Sequence, residues 1–160
     1  MSKWSATENR RRLGCKILAL ALLLWPASIN AFELDFMGTL ASRRGTLTLL
    51  QLAAPQPWGA HLGEVWIAGE RYRMGGLDAL LRSPCQPYAQ IGLGLSLWDK
   101  RTNRLGTLWE FHLSFRWGHA FPWGSIFGQI SHWSNAKAIL KIPGVNGGED
   151  FALAGYAWGF

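Results

Sequence analysis

The segment Thr107–Trp117, TLWEFHLSFRW, decides the fold. Trp109, Phe111, Leu113, Phe115 and Trp117 fall at every second position, with Glu110, His112, Ser114 and Arg116 between them. A helix would scatter these two sets around its surface, whereas an extended chain sends alternate residues to opposite faces. The segment reads as a strand with one apolar face and one polar face. Its bracketing tryptophans lie roughly 27 Å apart along a strand. Tilted by about 40°, they sit near the two edges of an apolar band about 25 Å tall, the height of the lipid-facing belt of a membrane barrel.

The same period recurs on both sides of this segment. Ile91, Leu93, Leu95 and Leu97 alternate with Gly92, Gly94, Ser96 and Trp98, and the small residues predict a crowded interior. Phe32, Leu34 and Phe36 alternate with Glu33 and Asp35. Further runs cover Thr46–Ala53, His61–Tyr72, Ser125–Asn135 and Glu149–Phe160. No helical period is sustained after Ala31, and Leu77–Leu81 spans at most a turn or two. These are seven runs, whereas a bacterial single-chain barrel takes an even number. An eighth strand must come from Met74–Tyr88 or from a break within 61–72. The fold class expected is all-β, an eight-stranded antiparallel transmembrane barrel of the Gram-negative outer membrane. In the alternative, a soluble lipocalin-like or sandwich domain, so many outward Trp and Leu side chains would be an aggregation hazard.

Residues 1–31 read as a targeting segment. Lys3, Arg10, Arg11, Arg12 and Lys16 form a basic start, followed by the apolar run Ile17–Trp25, Pro26 and ASINA. This is the layout of a secretory signal peptide cleaved after Ala31. The run is short of the roughly 20 apolar residues that a spanning helix needs. A single domain is expected over 32–160. It carries 11 Lys and Arg against 9 Asp and Glu, so the net charge falls from +6 to +2 and a nucleic-acid partner loses its footing. One cysteine, Cys85, remains; it excludes an intramolecular disulfide and is expected to behave as a small hydrophobe.

The candidate chemistry lies in Gln129–Ala136, QISHWSNA. On a strand, Ile126, Gly128, Ile130, His132 and Ser134 share one face, and the isoleucines mark it as the lipid side. His132 and Ser134 then project together where hydrocarbon gives way to headgroups. A serine hydroxyl is a weak nucleophile until a neighbour takes its proton, and an imidazole titrates in the right range to do so. The imidazole needs an acceptor on its other nitrogen, for which Glu149 and Asp150 are both candidates. Asn135 carries an amide that, with backbone N–H groups, would steady an oxyanion. A histidine hydrogen-bonded beside a loop would leave the same pattern without catalysis. His112 faces the interior, His119 lies in a loop, and no metal-ligand spacing stands out, so neither metal nor cofactor is expected.

The stretch ISHWSNA, followed by PGVNGGEDFALAGYAW and the terminal Phe160, resembles the PagL family, the lipid A 3-O-deacylases of the Gram-negative outer membrane. The resemblance implies His132 as base, Ser134 as nucleophile, Glu149 as the orienting carboxylate and Asn135 as oxyanion helper. It implies hydrolysis of the 3-O-linked acyl chain of lipid A, from the outer wall of a barrel, without cofactor. Lipid A or lipopolysaccharide in the outer leaflet is the implied partner. Lys137 and Lys141 are candidates to meet its phosphates. Phe160, ending an aromatic terminal strand, looks like the signal read by the barrel assembly machinery, and a second copy of the barrel is a candidate partner. An outer-membrane phospholipase-type esterase, a non-catalytic structural barrel and a soluble periplasmic lipid carrier are the competing functions.

Overall fold

A computed structural model describes residues 32–54, 57–135 and 147–159. Eight antiparallel strands close into a barrel in chain order: β1 (Glu33–Ala41), β2 (Gly45–Ala53), β3 (Trp58–Ile67), β4 (Glu70–Arg82), β5 (Tyr88–Trp98), β6 (Trp109–Phe121), β7 (Gly124–Ser134) and β8 (Glu149–Gly159). Closure is made by β1 against β8, from Glu33 opposite Gly159 to Thr39 opposite Leu153, with a register shift before Ala41. A closed ladder leaves no strand edge, which is what lipid surroundings demand of the backbone.

The eighth strand draws on both expected places: the 61–72 run breaks, and β4 continues from Glu70 through Met74 to Arg82. Ala68 and Gly69 both adopt positive φ, 52° and 84°, and join β3 to β4 in a two-residue hairpin. Two positive φ values match the twist of the flanking strands, which is why such turns dominate short hairpins. Strand β4 then runs through Leu77–Leu81, where at most a helical turn was expected. Cys85 is exposed in the β4–β5 connection rather than buried. The expected targeting segment 1–31 and Phe160 lie outside the described residues.

The outer wall is the apolar one. Phe36, Leu62, Leu77, Leu93, Leu113, Phe115 and Ile130 are all exposed. Trp66 and Trp109 stand toward one rim, while Trp58, Trp123 and Trp158 stand toward the other. At that second rim Phe121, Trp123 and Tyr156 form a continuous stack, with ring centroids 4.8 and 5.8 Å apart. Aromatic rings at both edges of an apolar belt are the pattern of a membrane-spanning barrel.

The lumen is filled. Asp78 accepts from both buried histidines, Oδ2 to His61 Nδ1 at 2.7 Å and Oδ1 to His112 Nδ1 at 2.8 Å. Trp133 Nε1 donates to Ser96 Oγ at 3.0 Å, and the same hydroxyl lies 2.8 Å from His61 Nε2. In the same way Gln129 donates to Ser131 Oγ, which faces His112 Nε2 at 3.3 Å. The Asp78 carboxylate can only accept, so Nδ1 of each imidazole carries a proton. Below them Arg116 pairs with Asp35 at 2.6 Å and donates to Gln129 and Gln51. Gly94 makes room for the cluster, since a Cβ there would lie 2.0 Å from Asp78 Oδ1. Toward the β7–β8 loop the lumen is capped by edge-on contacts among Tyr72, Trp98, Trp133 and Phe151.

Candidate active site

The inward residues of β7 hold the strand that presents the outward ones. Gln129, Ser131 and Trp133 are each hydrogen-bonded within the lumen, and the Trp133 indole stacks on His112 at 4.4 Å. The pleat therefore sends His132 and Ser134 to the outer wall. Both are half-buried at the end of β7, just past the exposed Ile126 and Ile130. Their neighbours across β6 are Leu113, opposite His132, and Phe111, opposite Ser134.

The carboxylate at His132 is Asp150. The two residues are register partners across β7–β8, and Asp150 Oδ1 lies 2.6 Å from His132 Nδ1. The pair is open to the surroundings, with side chains 42% and 70% exposed. Glu149, expected as the orienting carboxylate, pairs with Trp133 and shares its inward face. Adjacent strand residues face opposite ways, so one of the two acids must point into the barrel. Glu149 is only 3% exposed, and its nearest cation is Arg104 at 3.9 Å.

Asn135 is buried, and its side-chain amide donates to the Leu105 carbonyl, in the β5–β6 loop. That loop also grips the start of β8. Gly147 N donates to the Arg104 carbonyl at 2.9 Å, and the Arg104 guanidinium donates back to the Gly147 carbonyl. Beyond Gly147, Gly148 takes a φ of 61° and lies against the His132 ring, where a Cβ would come within 2.6 Å of Cε1. The loop thus holds the residue after Ser134 and, through Gly147, the segment behind His132. Sequence reasoning missed this clamp, because Arg104 and Gly147 lie 43 residues apart with no pattern linking them. Lys137 and Lys141 fall outside the described residues.

Among the described residues, one group of metal-type ligands comes together: His61, Asp78 and His112, deep in the lumen. It too was missed, since His112 alone was placed inside. Asp78 bridges the two imidazoles, whose outer nitrogens meet Ser96 and Ser131, so the group forms a continuous polar network beneath β7.

A closed eight-stranded barrel with an apolar outer wall and aromatic rings at both rims defines the class, a β-barrel protein of the outer membrane. The family model described as "Lipid A 3-O-deacylase (PagL)" matches residues 33–158, nearly the whole chain. The chain belongs to the PagL family, carboxylic ester hydrolases that modify lipid A in the Gram-negative outer membrane. No curated protein and no solved structure matched.

Proposed function

We propose that the protein removes the 3-O-linked acyl chain of lipid A by serine catalysis, with Ser134 as nucleophile, His132 as base and Asp150 as the acid that holds the imidazole. The observation that carries this reading is the His132–Asp150 contact on the same outward patch as Ser134. With Nδ1–H donated to Asp150, Nε2 is the nitrogen that receives a proton. As Ser134 Oγ attacks the ester carbonyl, its proton passes to His132 Nε2. The tetrahedral adduct collapses, the proton moves to the departing sugar oxygen, and the acyl group stays on Ser134. Water then attacks the acyl-enzyme with His132 again as base, and the free fatty acid leaves. Asn135 belongs to the same proposal as the group that steadies the oxyanion, alongside its bond to Leu105.

Substrate orientation has support from the loops. The longest connections in sequence, 99–108 and 135–148, join strand ends at the His132 end, while β1 begins and β8 finishes at the other. Long loops belong to the external face of such barrels. On this reading residues 1–31 are a removed export signal and the mature domain begins at Phe32. Lipid A in the leaflet meets His132 side-on, so proximity and orientation come from the membrane as well as from the protein.

Ser134→Ala tests the assignment. The variant should fold and insert normally while releasing at least about 10³-fold less fatty acid from purified lipid A. Mass spectrometry of the lipid distinguishes loss from lipid A and loss from a glycerophospholipid. Undiminished release by the variant would overturn the mechanism.

A further inference from the structure

The cations of the described barrel are unevenly placed. Only two of its lysines and arginines lie away from the His132 end: Arg82 at the opposite rim and Arg116 in the lumen. Three of the seven at the His132 end are occupied. Arg71 is bound to Glu64, Lys100 to Glu70 at 3.2 Å, and Arg104 to Gly147 and Glu149. The other four are Arg43, Arg44, Arg73 and Arg101, of which Arg43 and Arg44 stand side by side in one turn. Both are exposed, and neither side chain makes an ion pair among the described residues.

These two arginines occupy a built turn. Ser42 Oγ accepts from Arg44 N at 3.3 Å and from Gly45 N at 3.4 Å, and the Arg44 carbonyl accepts from Ala68 N of the neighbouring hairpin. The turn also stands beside the candidate site. Strand β1 pairs with β8, with Ala41 opposite Ala152, so residues 42–44 rise alongside Glu149 and Asp150. Arg44 is close enough for its charge to act on the Glu149 carboxylate.

We infer that Arg43 and Arg44 form a phosphate-binding site that docks a phosphate of the lipid A molecule whose ester lies at Ser134. Guanidinium groups recognise phosphate oxygens through paired, charge-assisted hydrogen bonds, which fix position as well as supply attraction. The turn sets that contact at headgroup level, while the apolar wall of β6 and β7 takes the acyl chains below. The inference rests on the deacylase reading and supplies its substrate with an anchor.

The test compares the wild type with Arg43→Ser/Arg44→Ser on bisphosphorylated lipid A and on the same lipid after phosphate removal, both in detergent micelles. Binding and fatty-acid release are measured separately. The variant should bind the phosphorylated lipid about tenfold more weakly and raise KM to match, with kcat little changed. The two proteins should treat the dephosphorylated lipid alike, and Arg43→Lys/Arg44→Lys should recover only part of the loss. Equal binding of phosphorylated lipid by both proteins overturns the site, and so does an equal loss on both lipids. Phosphate-dependent binding by a wild type that releases no fatty acid would uphold the arginine site and sink the deacylase reading.

Discussion

Asp150 Oδ1 lies 2.6 Å from His132 Nδ1, while Glu149, one residue earlier, turns its carboxylate into the barrel. The acid that meets the imidazole is therefore chosen by the pleat of β8.

Asp150→Asn should lower kcat by roughly 100-fold, because an amide holds the imidazole less well and does not stabilise imidazolium. Glu149→Gln should cost far less, its carboxylate being engaged with Arg104 on the inner side. Release rates of the two purified variants decide between them. A larger loss for Glu149→Gln would move the orienting role to that residue.

Gly148 forms the surface behind the His132 ring at a φ of 61°. Gly148→Ala adds a methyl group 2.6 Å from Cε1 and strains the backbone as well. The imidazole must move, and kcat should fall by about 10- to 100-fold with the barrel intact. Kinetics together with the gel mobility of the unheated, folded protein would check this. Unchanged kcat would mean that His132 does not need this wall.

Asp78 accepts from His61, His112 and Gln51 within the lumen. Asp78→Ala leaves three buried donors without their acceptor and should destabilise the barrel by about 3 kcal/mol or more. Urea unfolding in lipid vesicles measures the change, and Asp78→Asn should lose less. A neutral Asp78→Ala would show that water or repacking satisfies those donors.

The barrel was legible where the two faces of a strand differ sharply. Strand β6 reads plainly, since Trp109 to Trp117 face lipid while Glu110, His112, Ser114 and Arg116 face a polar lumen. Strand β4 did not read, because Asp78 points inward from the apolar context Leu77–Leu81 and the glycines 75 and 76 interrupt the alternation. The Ala68–Gly69 turn also lacks the Asn-Gly or Asp-Gly signal that usually announces a tight hairpin.

The site was legible to the same depth. That His132 and Ser134 share the outer face follows from a spacing of two and from the isoleucines before them. The choice between Glu149 and Asp150 does not follow, because a one-residue change of register exchanges the two faces. Contacts across distant loops, such as Arg104 on Gly147, depend on barrel closure and leave no trace in local pattern.

The sideways opening of the His132 patch also sets how turnover should scale. Molecules arrive and depart within a two-dimensional fluid, so the controlling variable is mole fraction in the leaflet rather than bulk molarity. Diluting the substrate with inert amphiphile should slow the reaction even when the total amount of each component is unchanged.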